Sequence, residues 1–332
     1  MQENNIAVLG DGGWGTTLAI LLAGKGHRVT LWGAFADYSA FLRRKRVNDR
    51  FLPSVHIPRS VVITHSLEDA LENKKVIILA VPSEHMRGVV RKCRRYHYPT
   101  KAVFISVAKG IEVGSLKRMS EVIIEELGKV PLAVLTGPTI AHEVAQSIPT
   151  TVVVASMSSA LRRQCQELFM TERFRVYTNN DVVGVELGGS LKNVIAIACG
   201  ISDGLGFGTN TKAALLSRGL VEISRLGMAM GAHAKTFSGL SGLGDLVTTC
   251  ISPYSRNRFV GEQIGKGKCL KEIKTRMQMV AEGVPTTKSA YALAKKYKVD
   301  TPIINEVFAV LYRHKSPLGA VKDLMTRARR EE

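Results

Sequence analysis

A short apolar run near the start of the chain leads directly into a glycine-rich loop and then into a helical pattern. Ile6–Leu9 is followed by the segment GDGGWG at positions 10–15. In such a strand–loop–helix unit the first glycine permits a tight turn, the second lets the backbone approach a pyrophosphate, and the third lets the helix pack on the strand. We therefore predict that Gly10, Gly12 and Gly15 form a dinucleotide-binding loop rather than a turn without a ligand.

The same loop partly matches a phosphate-binding P-loop, since Gly10 and Gly15 have the glycine spacing of that motif. Thr16 occupies the position where the P-loop requires lysine, which disfavours nucleotide hydrolysis.

The cofactor is expected to be NADP or NAD. The second strand-like run, Arg28–Trp32, ends without the acidic residue that NAD-binding sheets usually offer to the ribose, and Asp37 comes slightly late. The basic run Arg43–Arg46 on the next helix could meet the 2′-phosphate of NADP, although a surface role is an equal alternative. On balance the sequence leans towards NADP.

The first half of the chain alternates strand-like runs with amphipathic helical patterns, which predicts an α/β fold with a Rossmann-type doubly wound sheet. The strand-like runs are Ile6–Leu9, Arg28–Trp32, Val61–Thr64, Val76–Val81, Ala102–Val107, Leu132–Thr136 and Thr151–Ala155. After about Asp181 long helical patterns replace the strands. We predict a dinucleotide-binding domain over 1–180 and an all-helical, substrate-binding and catalytic domain over 181–332.

Composition narrows the class of protein. The chain has 332 residues, and 46 Lys and Arg against 28 Asp and Glu give a net charge of +18, which favours anionic partners. Its five cysteines are widely spaced and contain no CxxC pair, so we expect reduced thiols and no metal site. The N-terminus lacks a signal-peptide pattern, and no stretch is apolar enough to suggest an integral membrane segment, so a cytoplasmic protein is predicted.

Two lysines stand out as candidate site residues. Lys109 follows an apolar strand and precedes a glycine, at the sheet edge where ligands gather, although an exposed loop lysine is the alternative. Lys192 lies in a nearly uncharged helix beside Gly188 and Gly189, and these small residues would leave space that a ligand could fill. The alternative is a helix lysine whose ammonium group extends to solvent. A partly desolvated lysine can exchange a proton near neutral pH.

Further candidates follow in the second half. Asp245 comes after a glycine-rich turn, and Ser255, Arg256 and Asn257 offer a hydroxyl, a guanidinium and an amide that suit a phosphate. The segment 200–204 matches the GxSxG nucleophile pattern, but it lies at the end of a predicted helix and not on a strand–turn–helix, so we reject it.

These residues together resemble the bacterial-type NAD(P)-dependent glycerol-3-phosphate dehydrogenases, over essentially the whole chain. The matching motifs are 10–15, 109–110, 137–139, 189–194, 200–208, 242–246 and 255–257. The segment from Gly189 to Asn210 is the most specific. Two positions depart from the family: Ser190 stands where alanine or threonine is usual, and Ala34 stands where arginine or histidine often lies near the adenosine phosphate.

The resemblance implies reversible reduction of dihydroxyacetone phosphate to sn-glycerol 3-phosphate, supplying phospholipid synthesis, by a homodimer. It implies that Lys192 is the catalytic proton donor or acceptor. The positions that match substrate contacts are Lys109, Gly137, Thr139, Lys192, Asp245, Ser255, Arg256 and Asn257. Those that match or adjoin dinucleotide contacts are Gly10, Gly12, Gly13, Trp14, Gly15, Ala34, Lys109, Ala141, Arg256, Val280 and Glu282.

Two other functions stay open at this point. A different oxidoreductase with a Rossmann-type and a helical domain, such as a 3-hydroxyacid dehydrogenase, would act on carboxylates instead of phosphates. A basic nucleic-acid-binding module could use the fold as a scaffold, but the basic clusters lack interleaved aromatic residues for base stacking. We therefore expect a small phosphorylated substrate and no nucleic acid.

Overall fold

A computed structural model of the chain describes residues 3–277, 280–328 and 331. Strands occur only in the first 180 positions of this described part. They are β1 Asn5–Leu9, β2 Arg28–Trp32, β3 Val47–Asn48, β4 Leu52–His56, β5 Val62–Thr64, β6 Val76–Leu79, β7 Val103–Ser106, β8 Leu132–Thr136, β9 Thr150–Ala155 and β10 Phe174–Asn179.

Helices connect the strands and then make up the C-terminal part. The first group is α1 Gly13–Gly24, α2 Ala36–Lys45, α3 Leu67–Leu71, α4 Ser83–Cys93, α5 Met119–Leu127, α6 Ala141–Ala145 and α7 Ser159–Phe169. The second group is α8 Val182–Gly204, α9 Thr209–Ala229, α10 Ala234–Phe237, a π-helical turn at Leu240–Gly244, α11 Asp245–Ile251, α12 Arg256–Gly265, α13 Leu270–Arg276, α14 Gly283–Lys296, α15 Pro302–Tyr312 and α16 Pro317–Met325.

Eight strands form one sheet in the order β10-β9-β8-β7-β6-β1-β2-β5, and β3 pairs with β4 in a separate hairpin. All neighbours in the large sheet are parallel except β8 and β9. The strand order reverses at β1, because β2 lies on one side of it and β6 lies on the other. Such a switch point is where open α/β sheets bind ligands, at the carboxyl ends of the strands. The predicted doubly wound sheet and helical C-terminal domain are confirmed.

Three strands lack the apolar run that indicates a strand in the sequence, and a fourth runs in an unexpected direction. β10 alternates buried and exposed residues, because one of its two faces is open to solvent, so it has no continuously apolar run. The short β3 and the proline-containing β4 also lack an apolar run. β9 runs antiparallel to β8, a reversal that the apolar composition of both strands cannot indicate.

The helix α8 is the centre of the C-terminal part. It carries a stripe of fully buried residues, including Leu187, Leu191 and Ile195, that pack in the helical core. By length and composition α8 could cross a membrane, but 89% of its apolar window is buried inside the protein. That burial is typical of a core helix.

The link between the two parts is short. β10 ends at Asn179 and α8 begins at Val182, with the Asp181 side chain accepting a hydrogen bond from Gly184 N at 2.8 Å. Asp181 also accepts bonds from His233 N and Thr236 Oγ1, at 2.8 and 2.6 Å, so it ties the start of α8 to α10. The boundary predicted between positions 180 and 181 falls in this link, and the extents of the two domains stay a prediction.

Candidate active site

The glycine loop has the geometry that a pyrophosphate requires. Gly10 has a φ of +122°, which favours glycine, and a Cβ there would meet Ala80 O at 2.6 Å. A Cβ at Gly15 would overlap the carbonyl oxygen of Gly10, so this glycine lets α1 pack on β1. A Cβ at Gly12 would meet nothing within 4 Å, which leaves open space at the N-terminus of α1. A helix N-terminus with an approachable backbone suits an anion, so the loop fits a dinucleotide.

Three predicted cofactor contacts cluster beside this loop. A Cβ at Gly13 would lie 3.8 Å from Cβ of Ala141, and Thr17 Oγ1 donates to Gly13 O and Ala141 O at 2.9 and 3.1 Å. The Trp14 ring packs on Phe174 with 6.5 Å between centroids. Its buried Nε1 has no hydrogen-bond partner in the described part of the chain. The structure thus brings Gly13, Trp14 and Ala141 together.

The carboxyl ends of β7 and β8 supply a second group. Lys109 follows β7, and its Nζ donates to Gly137 O at 2.8 Å and to Thr139 Oγ1 at 3.1 Å. Gly137 follows β8 with a φ of +140° and a Cβ there would lie 3.1 Å from Val152 Cα, so the turn requires glycine. Lys109 therefore lies at the carboxyl edge of the sheet, and its contact with a ligand stays a prediction.

Asp245 joins the sheet edge to the helical domain. Its Oδ2 accepts a hydrogen bond from Lys109 Nζ at 2.8 Å, and its Oδ1 accepts one from Lys192 Nζ at 2.7 Å. The side chains of Lys109, Lys192 and Asp245 are only 14%, 6% and 1% exposed. Lys192 therefore does not reach out to solvent, and the alternative of a surface lysine is wrong. A buried carboxylate shared by two buried ammonium groups holds both amines in fixed positions.

The environment of Lys109 changes its acidity. Burial lowers the pKa of the Lys109 ammonium group to about 8; the charge of Lys192 also lowers it, while Asp245 acts in the opposite direction. Lys109 therefore loses its charge only a little above neutral pH. This makes the charge of the site sensitive to pH in a range where an ordinary lysine stays protonated.

The two glycines beside Lys192 have a packing role. A Cβ at Gly188 would overlap Ser241 O, in the π-helical turn that precedes Asp245. A Cβ at Gly189 would meet Thr136 Oγ1 at 2.5 Å and Lys109 Cγ at 3.7 Å. The expectation that small residues leave empty space around Lys192 is therefore wrong: they let α8 approach β8 and the turn. The sequence predicts a glycine-rich turn before Asp245. In the structure this segment, Leu240–Gly244, is a π-helical turn that continues into α11.

We expect Gly188→Ala to destabilise the protein by about 1–3 kcal/mol, because the added methyl group overfills a packed contact with backbone. Gly24→Ala is the matched control, since Gly24 is also helical and a Cβ there would meet nothing within 4 Å. The control is expected to be neutral or stabilised by up to about 1 kcal/mol. Urea denaturation of both variants measures the difference, and equal stabilities would contradict the packing role.

Two hydrogen-bonded side-chain amides, those of Asn193 and Asn257, connect the Lys109 loop to the helical domain. Asn193 Nδ2 donates to Lys109 O at 3.1 Å, and Asn257 Nδ2 donates to Asn193 Oδ1 at 2.9 Å. Asn257 Oδ1 in turn accepts from Gly283 N at 2.9 Å. The amide chain fixes the Lys109 loop against α8, α12 and α14.

The predicted hydroxyl, guanidinium and amide at 255–257 are not presented together. Ser255 is the N-cap of α12, and its Oγ accepts from Arg258 N at 3.2 Å, so both Ser255 and Asn257 are buried and engaged. Arg256 is exposed, and its Nη1 donates to Val280 O at 3.0 Å. Of these three residues, only Arg256 has a side chain that is exposed to a ligand. The substrate roles of Ser255 and Asn257 stay predictions.

The remaining predicted cofactor residues lie in two places. Glu282 Oε1 accepts from Ser83 N at 2.8 Å and so connects α14 to α4; burial raises the pKa of this carboxyl group. Ala34 is exposed just beyond β2. The basic run Arg43–Arg46 lies at the far end of α2, where Arg43 is about 10 Å along the helix from Ala36 at 1.5 Å per residue. That position does not support the lean towards NADP.

Sequence reasoning missed several residues of the site. Thr249 accepts a hydrogen bond from Lys192 Nζ at 2.5 Å; its spacing of four residues from Asp245 on α11 could have indicated a shared helix face. The roles of Asn193 and Ser83 had no comparable indication. Within the described residues, no three His, Cys, Asp or Glu side chains form a group that could hold a metal ion.

A buried lysine–carboxylate pair at the ligand edge of a Rossmann-type sheet can move a proton beside a bound dinucleotide, which is the arrangement of NAD(P)-dependent oxidoreductases. Family models agree with that class: NAD-dependent glycerol-3-phosphate dehydrogenase N-terminus matches residues 5–162, and the C-terminus model matches 181–322. The chain belongs to the NAD-dependent glycerol-3-phosphate dehydrogenase family. The resemblance stated from the sequence is thereby confirmed.

Similar proteins support this membership. The glycerol-3-phosphate dehydrogenase [NAD(P)+] of Citrifermentans bemidjiense is 51% identical, covering 98% of both chains. That of Pelotomaculum thermopropionicum is 51% identical over 100% of this chain and 95% of its own. The crystal structure of glycerol-3-phosphate dehydrogenase from Coxiella burnetii superposes with a TM-score of 0.95 at 40% identity, covering 98% and 99% of the two chains.

More distant structures share the fold alone. A ketopantoate reductase from Ralstonia eutropha has a TM-score of 0.63 at 14% identity, covering 96% of this chain and 99% of its own. The shared architecture therefore extends beyond this family, and the chemistry has to be argued from the site.

Proposed function

We propose that the chain interconverts dihydroxyacetone phosphate and sn-glycerol 3-phosphate with NAD(H) or NADP(H), and that Lys192 is its catalytic residue. The observation that carries this proposal is the bridge from Lys109 through Asp245 to Lys192. It holds two amines at the edge of the sheet where the glycine loop also lies. Family membership supports the choice of reaction.

The proton step belongs to Lys192. When bound, the nicotinamide supplies or accepts a hydride, so the substrate oxygen on C2 gains or loses negative charge. We assign Lys192 Nζ to protonate that oxygen in the reducing direction and to remove its proton in the other. Asp245 and Thr249 hold Nζ through hydrogen bonds of 2.7 and 2.5 Å, which leaves the amine in one position. A positioned acid or base contributes about 10²–10⁴-fold to the rate.

Substrate binding uses the cations around this amine. We assign Arg256 and the first turn of α12, which begins at Arg256 and includes Asn257, to the phosphate, because a guanidinium and a helix N-terminus both favour a dianion. Lys109, held by Gly137 and Thr139, faces the hydroxyl end of the substrate. Binding energy from the phosphate then helps to position the carbonyl carbon.

We expect the KM for dihydroxyacetone phosphate to rise about tenfold between pH 7 and pH 9. With a Lys109 pKa of about 8, nearly all molecules carry the cation at pH 7 and about a tenth do at pH 9. The loss of that positive charge weakens binding of a dianion. Initial rates across this range give the profile. Lys109→Arg stays charged and should show a flat KM; a flat profile in the wild type would contradict the assignment.

The substrate class is tested by comparing three acceptors with NADH and with NADPH. Dihydroxyacetone phosphate should be reduced, whereas dihydroxyacetone lacks the phosphate and a 3-ketoacid replaces it with a carboxylate. We expect kcat/KM for both to be at least 10³-fold lower. Preferential reduction of the ketoacid would instead indicate a hydroxyacid dehydrogenase.

Four further expectations belong to this proposal. We propose a cytoplasmic location, supported by five cysteines that form no disulfide among the described residues. We propose a homodimer and a role in supplying phospholipid synthesis, both supported by the family alone. We also propose that the domains extend over 1–180 and 181–332, supported by the change from strands to helices between β10 and α8.

A further inference from the structure

The carboxylate of Asp11 occupies the end of the second strand. Asp11 belongs to the glycine loop, but a Cβ built on Gly33, the first residue after β2, would overlap Asp11 Oδ2 and lie 2.9 Å from Ser39 Oγ. Gly33 therefore leaves the room that the Asp11 side chain fills. This is the place where NAD-binding sheets usually present an acidic residue from the strand itself.

Hydrogen bonds hold the backbone of the glycine loop in place at Asp11. Gly10 N donates to Trp32 O at 2.9 Å, which joins the loop to the end of β2. Asn48 Nδ2 donates to Asp11 O at 2.8 Å, and Thr16 Oγ1 donates to the same oxygen at 3.3 Å. These bonds fix the loop backbone at Asp11, from which the side chain extends towards Gly33.

One oxygen of the carboxylate has no partner within the described part of the fold. Asp11 Oδ2 is buried and has no hydrogen-bond partner among the described residues, and the same holds for the nearby Ser39 Oγ. Burial raises the pKa of Asp11 to about 6, while its own backbone N–H and Arg50 act in the opposite direction. The group is therefore mostly ionised above neutral pH, and a charged group with one buried, unpartnered oxygen indicates a ligand contact.

We propose that Asp11 is the residue that selects the cofactor, by favouring the free ribose hydroxyls of NAD(H) and repelling the 2′-phosphate of NADP(H). The inference rests on the proposed cofactor site and adds a preference to it. A carboxylate accepts hydrogen bonds from a ribose hydroxyl, whereas a phosphate placed against it brings like charges together.

The cations nearby do not reverse this preference. Arg43 and Arg44 lie towards the far end of α2, and Arg46 Nη1 is engaged by Val61 O at 2.7 Å. Arg50 is the cation whose charge acts on Asp11, but it is exposed and stacks over Tyr38, 5.8 Å from the ring centroid. Water and salt screen an exposed charge more than a half-buried one.

The test is the binding of ADP-ribose and of 2′-phospho-ADP-ribose, measured by calorimetry at pH 7.5 and fixed salt. These ligands carry the relevant ribose without the nicotinamide, so turnover is not needed. We expect the wild type to bind ADP-ribose at least tenfold more tightly. Asp11→Asn, which keeps the shape and removes the charge, should reduce that ratio at least tenfold. Asp37→Asn removes an exposed acid near the same strand end and should leave the ratio unchanged.

Each other result would overturn the proposal. A wild type that prefers the 2′-phosphorylated ligand, or an unchanged ratio in Asp11→Asn, removes Asp11 from selection. A shift in Asp37→Asn alone assigns the preference to Asp37 instead. Failure of both ligands to bind the wild type contradicts the cofactor site of the proposed function itself, which is a separate outcome. If Asp11→Asn does not fold, Asp11→Ala gives the same comparison.

Discussion

Replacing Lys192 with methionine is expected to lower kcat for dihydroxyacetone phosphate reduction by at least about 100-fold. Methionine keeps most of the buried aliphatic volume but cannot carry the proton to the C2 oxygen. The glycine loop is separate from this side chain, so the dissociation constant for NADH should change less than threefold. Steady-state rates and fluorescence titration measure the two quantities.

The matched control for this variant is Lys212→Met. Lys212 pairs with Asp203 at 2.7 Å on the same group of helices, but it does not contact Asp245 or Lys109. Its loss should leave kcat within a factor of about two. If Lys192→Met turned over at a rate near that of the wild type, Lys192 would have no place in the proton step.

Replacing Asp245 with asparagine should affect both stability and turnover. The carboxylate neutralises Lys109 and Lys192, and removing one partner of a buried ion pair costs about 3–5 kcal/mol because it leaves charge unpaired. We expect the free energy of unfolding to fall by about 3 kcal/mol. Below the unfolding temperature kcat should also fall, by at least tenfold, because Lys192 is no longer held. Urea denaturation and kcat measured on the folded variant separate the two effects.

Asp203→Asn provides the comparison for Asp245. Asp203 also accepts from two cations, Lys212 at 2.7 Å and Arg258 at 2.6 Å, but it lies outside the proposed site. The Asp203 side chain is 13% exposed, against 1% for Asp245. Asp203→Asn should therefore lower the free energy of unfolding less than Asp245→Asn does, and kcat should be retained. An Asp245→Asn variant that is less stable but keeps the wild-type kcat would limit Asp245 to a structural role.

The sheet and its glycine loop could be predicted because their evidence is local. Gly10, Gly12 and Gly15 follow a strand and begin a helix within a few residues, so the pattern and its context are read together. β10 could not be found in the same way, because one of its faces carries exposed residues, Arg175 and Tyr177. The antiparallel placement of β9 depends on the path of the chain and not on its composition.

The candidate site could be predicted only in part. Lys109, Lys192 and Asp245 were each identified as candidates, but the pairs Lys109–Asp245 and Lys192–Asp245 are separated by 136 and 53 residues. No local spacing encodes contacts across such distances; the resemblance to a known family supplied what the pattern could not. The place of Asp11 could not be predicted, because the acidic residue of NAD-binding sheets usually follows the second strand, whereas here the glycine loop supplies one.

Gly188 and Gly189 lower the intrinsic stability of helix α8, and the tertiary contacts of these two glycines explain why they occur there. Two adjacent glycines weaken an isolated helix by about 1 kcal/mol each. In the structure, Gly188 and Gly189 allow contact with Ser241 and with Thr136, and these contacts place α8 against the sheet edge. The sequence indicated that some packing or functional reason existed, and only the three-dimensional contacts identify it.

The most direct test of the central claim follows the hydride itself. Dihydroxyacetone phosphate is incubated with the wild-type protein and NADH that carries deuterium at the transferable C4 position, and the product is analysed by NMR. We predict sn-glycerol 3-phosphate with deuterium at C2, formed in proportion to the cofactor oxidised. Absence of this product, or glycerol 3-phosphate without deuterium at C2, would contradict it.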